Sequence, residues 1–136
     1  MIKEFDHVGM VVKNTEEMVS LFSNLFGFKI SESLTFPEEG FRSTLISKED
    51  TTIELIEPIG PEGIIQRFVQ KQGWGLHHIS IQVDNIVQEM KSLKTKGVQL
   101  VNEEPQEVKG TSNKTVFIHP YSTRGILIEL IQRSQT

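Results

Sequence analysis

The chain has no cysteine, which removes disulfide bridges, zinc-finger ligation and thiolate catalysis at once and leaves His, Asp and Glu as the only side chains for a metal. No apolar run approaches the roughly 20 residues that span a bilayer. The first residues, "MIKEFDHVGM", lack the basic start and unbroken apolar core of a signal peptide. With one Trp, one Tyr, no basic block and a formal net charge of −4, the sequence offers neither a phosphate-tracking groove nor a base-stacking platform. These absences predict a cytoplasmic protein with no membrane and no nucleic acid among its partners. Low-complexity segments are missing too, and only the polar end "RSQT" is expected to fray.

What is present suits one domain over residues 1–136. The chain is long enough to bury a core without covalent staples, with 37% hydrophobic and 24% charged residues. It also repeats itself. Setting "FDHVGMVVKN" over "LHHISIQVDN" at an offset of 71 places His7 on His78, Val8 on Ile79, Met10 on Ile81, Val12 on Val83 and Asn14 on Asn85.

Each copy continues into a helical pattern. Met18, Leu21, Phe22 and Leu25 predict a helix over about 15–26, with Thr15 as cap and Gly27 as stop. Ile86, Met90 and Leu93 repeat the plan up to Gly97. Three extended segments follow each helix: "FKISESL", "GFRSTLISK" and "TTIELIEP", then "VQLVNEE", "KTVFIHP" and "GILIELIQ". The last strands align at an offset of 75, which puts Glu54 on Glu129. The prediction is two βαβββ modules, about 1–60 and 75–133, joined by a linker helix over about 61–73.

Two adjacent histidines, His77 and His78, point to opposite faces of a strand, so only one can serve a given cavity. The repeat pairs His78 with His7 and leaves His77 on Asp6, with Ser80 continuing the face of His78. Ile79 and Ile81 lie on the face of His77 and would ordinarily mark a core. Glu54 and Glu129 each sit inside "IEL", a setting in which a carboxylate needs a partner or water. If the modules are related by a pseudo-twofold axis, two His and two Glu can converge into one four-ligand site. Two neutral imidazoles and two carboxylates neutralise a divalent cation, leaving Co, Ni, Zn, Mn and Fe open.

The stretches "FDHVGMVV", "GLHHISIQVDNI" and "FIHPYSTRGILIELIQ" resemble the vicinal oxygen chelate superfamily (glyoxalase/bleomycin resistance/dioxygenase) across nearly the whole chain. Within it, "LHHI", "VDNI", "KGVQL", "NEEP" and "HP" followed by "GILIEL" are most similar to the methylmalonyl-CoA epimerases. The resemblance implies an α+β fold whose two βαβββ modules form a cup-shaped mixed β-sheet around one divalent metal ion held by His7, Glu54, His78 and Glu129. It implies epimerisation of methylmalonyl-CoA or a similar acyl-CoA thioester, in which proton abstraction beside the carbonyl gives a metal-stabilised enolate. Either activity requires a base, for which Glu129 and Glu54 are the candidates, with Glu129 preferred. A homodimer is expected, since dimers are common in the family.

The departures from the pattern are also informative. Many members carry Gln at the second ligand position, so Glu54 is closer to the lactoylglutathione lyase arrangement, and isomerisation of a glutathione hemithioacetal is the alternative activity. Some epimerases carry a further carboxylate where Ser43 stands, and Tyr121 replaces a Lys that tends to follow "HP", with Arg124 three residues on. Lys114 and Arg124 are candidate contacts for an anionic substrate but are expected first as solvated charges. His119 is expected to be structural. A non-catalytic small-molecule-binding resistance protein ranks below both enzymes, because such members work without a metal and the four polar side chains would then be a burial cost without a purpose. Ring-cleaving dioxygenases use two His and one Glu in a longer chain. The linker helix and the region from "NEEP" to "HP" favour the epimerase.

Overall fold

A computed structural model describing residues 1–134 follows the βαβββ plan twice. The first module comprises β1 (Ile2–Val11), α1 (Thr15–Phe26), β2 (Lys29–Phe36), β3 (Phe41–Lys48) and β4 (Thr51–Pro58). A linker helix, α2 (Ile64–Gln72), leads to β5 (Gly75–Val83), α3 (Ile86–Thr95), β6 (Gln106–Glu107), β7 (Lys114–Ile118) and β8 (Ile128–Gln132). The α+β class and the paired modules are as expected. The chain folds into two compact units, one of His7–His77 and one of Met1–Asp6 with the chain from His78 onward.

In the first unit the strand order is β2-β3-β4-β1, antiparallel except for the parallel pair β1/β4. A parallel pair needs a crossover, and α1 with β2 and β3 supplies it. Alternation along β4 turns Ile53 and Leu55 toward α1, where they pack with Met18, Val19 and Phe22 and with Val12, Phe28 and Ile46. Ile56 faces the other way and packs with Val11 and with Ile65, Phe68 and Val69 of α2. Glu54 shares this second face.

The other unit repeats the arrangement in the order β5-β8-β7-β6, with β5 parallel to β8. Ile81, Val83, Val116, Ile118, Ile128 and Leu130 form one apolar face beneath Ile86, Met90 and Leu93 of α3. The apolar alternates on β5 therefore do mark a core, the one under the helix, while His78 and Ser80 occupy the reverse face. Both are buried there.

Helix entry differs from expectation by one residue. Asn14, not Thr15, is the N-cap, its side chain accepting from the Glu17 N–H at 3.0 Å, and Asn85 does the same for Gln88 at 3.1 Å. Thr15 is the first helical residue, and its N–H and hydroxyl donate to Glu57 Oε1 at 2.8 and 2.7 Å. In the second module the Ile86 N–H donates to Gln132 Oε1 at 2.8 Å. In each module, then, the last strand ties down the first turn of the helix, satisfying an N–H that has no intrahelical partner. Gly27, at φ 77°, closes α1: its N–H donates to the Ser23 carbonyl at 3.0 Å and the Phe28 N–H to the Phe22 carbonyl at 3.3 Å.

The largest departure lies in "VQLVNEE". In place of a ladder this segment has an isolated bridge, Leu100 to Ile118, flanked by main-chain bonds from the Val101 N–H to Phe117 and from the His119 N–H to Gln99. The regular pairing moves to Gln106–Glu107. Pro105 offers no N–H to a ladder, and the preceding Asn and Glu residues have low strand propensity. The last strand also begins at Ile128 rather than Gly125, because His119 and Pro120 start a 3₁₀ turn over Pro120–Thr123. Among the described residues, no helix is long and apolar enough to cross a membrane.

Leu55 is fully buried between β4 and α1. Replacing it with Ala is expected to lower the unfolding free energy by about 2–5 kcal/mol, and Asn85→Ala by about 1 kcal/mol, both measurable by urea denaturation.

Candidate metal centre

The parallel register decides which side chains share a face. In the first unit Gly9 pairs with Glu54, so His7, two residues earlier on β1, lies diagonally across from Glu54 on the same face. His7 Nε2 is 3.4 Å from Glu54 Oε1. The Ser43 hydroxyl on β3 donates to the other oxygen, Glu54 Oε2, at 2.6 Å. His7 and Ser43 are buried, and the Glu54 side chain keeps 18% exposure.

The other unit has the same register. Ser80 pairs with Glu129, and His78 lies two residues before Ser80, on the same face. His78 and Glu129 present ligand atoms within 4.8 Å of each other, and both are buried. The Ser80 hydroxyl donates to Glu129 Oε1 at 2.7 Å. Phe117, opposite Glu129 on β7, stands edge-on to the His78 ring at 5.8 Å and restricts its rotation.

His77 belongs to the other face of β5 and lies edge-on to Phe68 of α2 at 4.6 Å. Its counterpart in the repeat, Asp6, is held by Arg133 through Nε at 2.9 Å and through a second guanidinium nitrogen. The two adjacent histidines thus occupy opposite faces, and His78 shares its face with Glu129.

Within each unit one imidazole nitrogen and one carboxylate share a face, a donor chemistry that fits a divalent cation. Two atoms each about 2.1 Å from an ion stand about 3.0 Å apart at a right angle and about 3.4 Å apart at the tetrahedral angle. The His7 to Glu54 separation of 3.4 Å falls in that range and is long for a direct hydrogen bond.

The remaining sequence candidates lie elsewhere. His119 Nδ1 accepts from the Tyr121 N–H at 3.0 Å and caps the 3₁₀ turn, the structural role expected of it. Arg124 closes that turn in the left-handed conformation at φ 59° and is exposed. Lys114 opens β7, its backbone opposite Gln132. Sequence reasoning placed Ser80 on the face of His78 and Ser43 where some epimerases carry a carboxylate, but it missed that each hydroxyl donates to a site glutamate. Those partners lie on other strands, whose register no local pattern reveals.

Residues 6–117 match the family described as the glyoxalase/bleomycin resistance protein/dioxygenase superfamily. The chain belongs to that superfamily. It is 32% identical over 133 residues to the mitochondrial methylmalonyl-CoA epimerase of Dictyostelium discoideum, covering 97% of this chain and 80% of that one. It is 33% identical over 128 residues to the mitochondrial methylmalonyl-CoA epimerase of Homo sapiens, covering 93% and 72%. Among solved structures, a hypothetical protein from Bacillus halodurans C-125 superposes with a TM-score of 0.91 at 30% identity, over 98% of this chain and 96% of that one. Enzymes of the superfamily generally use a divalent metal. As expected from the sequence, the chain is similar to methylmalonyl-CoA epimerases of that superfamily.

A structural His119 makes a separable prediction. His119→Ala should cost about 0.5–1.5 kcal/mol of stability, the worth of one hydrogen bond, and leave metal binding unchanged, as urea unfolding and metal titration of the same variant would show.

Proposed function

We propose that the chain is a metal-dependent epimerase of methylmalonyl-CoA or a similar acyl-CoA thioester. His7, Glu54, His78 and Glu129 together hold one divalent ion, Co, Zn, Ni, Mn or Fe. What carries the reading is the identical register of both modules, which sets a His diagonally across from a Glu on the reverse face of each sheet. It is supported by relatives over nearly the whole chain that bear the epimerase name.

A bound cation supplies positive charge where negative charge develops on the substrate carbonyl. The chain's own residues do the rest. Glu129, more deeply buried than Glu54, is the preferred base for the proton on the carbon beside the carbonyl, with Glu54 as the other candidate. Ser43 donates to Glu54 and brings no second carboxylate to β3, so the return of a proton on the opposite face falls to Glu54, Glu129 or water. Lactoylglutathione lyase chemistry uses the same enolisation and is the less supported alternative. In this reading the two modules act as one domain of a cytoplasmic homodimer, with neither membrane nor nucleic acid as partner.

Proton exchange at carbon 2 of methylmalonyl-CoA in deuterated buffer tests the activity. Metal-loaded protein should incorporate deuterium, His78→Ala should lose more than about 100-fold of that rate, and His77→Ala should retain it. Absence of exchange in protein with a confirmed bound metal would sink the epimerase reading and direct the assay to a glutathione hemithioacetal. Removal of the metal by a chelator should abolish exchange, and adding back a divalent ion should restore it.

A further inference from the structure

We propose that Ser80 is a positioning residue for Glu129, and Ser43 for Glu54, each hydroxyl fixing the plane of its carboxylate so that it meets a divalent cation at a set angle. The inference rests on the reading of His7, Glu54, His78 and Glu129 as one metal set, and it concerns residues outside that set.

The geometry is specific. Ser80 is fully buried and is the direct cross-strand partner of Glu129, with its hydroxyl 2.7 Å from Oε1. In the first module the position aligned with Ser80 is Gly9, which pairs with Glu54 in the same register and carries no hydroxyl. The hydrogen bond to Glu54 comes instead from Ser43 on β3, which lies opposite Ile56, two residues from Glu54. The two repeats thus reach the same carboxylate–hydroxyl contact from different strands.

A contact inherited by duplication alone would use equivalent positions. One reached from two unrelated positions marks a requirement of the carboxylate itself. A short bond from a neutral hydroxyl removes torsional freedom about the last side-chain bond of Glu and leaves the carboxylate its charge. Partners that orient metal ligands in this way commonly govern affinity by 10–100-fold.

The difference in burial ranks the two. Glu54 keeps 18% exposure, so water can replace a lost Ser43 hydroxyl, whereas Ser80 is fully buried beside a Glu129 that keeps 9%, and less water reaches the place of its hydroxyl.

Co²⁺ is the probe, because its visible absorption reports ligand geometry and its affinity is measurable by competition with a chelator. Ser80→Ala should weaken Co²⁺ binding by about 10–100-fold and alter the absorption bands, and Ser80→Thr, which keeps the hydroxyl, should recover both. Ser43→Ala should show a smaller loss of the same kind. Urea unfolding of the metal-free variants separates a loss of folding from a loss of positioning, and Ser80→Cys serves in the same titration should the Ala variant not fold. Wild-type affinity and spectrum in folded Ser80→Ala would overturn the positioning role while leaving the metal set standing. A wild-type chain that binds no Co²⁺ would overturn the metal set and the positioning role together.

Discussion

The parallel register between the first and last strand of each module is the constraint on which the rest depends. Gly9 opposite Glu54 and Ser80 opposite Glu129 place each His and its Glu on one face and the neighbouring Ile and Leu on the other. A slip of one residue in β4 would turn Glu54 under α1 and push Leu55 out of the core, so both faces resist it together. The helix ties add to this, since Glu57 and Gln132 reach the first turn of α1 and α3 only if their strands stand in this register.

From that register follows a division of labour within single strands. On β4 the sequence "IEL" puts two apolar residues beneath a helix and one carboxylate on the reverse face, and "IEL" on β8 does the same. Burial of a carboxylate without partners costs several kcal/mol, whereas a hydrogen bond to a charged group returns about 1.5–3 kcal/mol. The serine hydroxyl on each Glu offsets part of that cost and leaves the carboxylate its charge. In the proposed function a bound ion adds to this, which ties stability and activity to the same four side chains.

Much of this was legible because the chain says it twice. Repetition at an offset of 71 singled out His78 over His77, and repetition at 75 singled out the two glutamates, where one isolated His or Glu would have been an ordinary strand residue. The same repeat contained Asn14 and Asn85, yet Thr15 looked like the cap because Thr is a common one. The preference for Asn became visible only with the Glu17 and Gln88 N–H groups in place. "VQLVNEE" read as a strand from its Val and Leu residues. Pro105 and the acidic residues before it prevented a continuous ladder, which shows that propensity over a short window yields to what the neighbouring strand can pair with.

The sequence by itself determined the class of fold, the two modules, the linker helix and the repeated histidines and glutamates, because periodicity and self-similarity are written along the chain. Tertiary structure alone decided which hydroxyls serve the carboxylates, which residues cap the helices, and that the apolar face of β5 is the helix-covered one. These are contacts between residues such as Ser43 and Glu54 or Ser80 and Glu129, on different strands, and strand register is set by the packing of whole elements rather than by any local pattern.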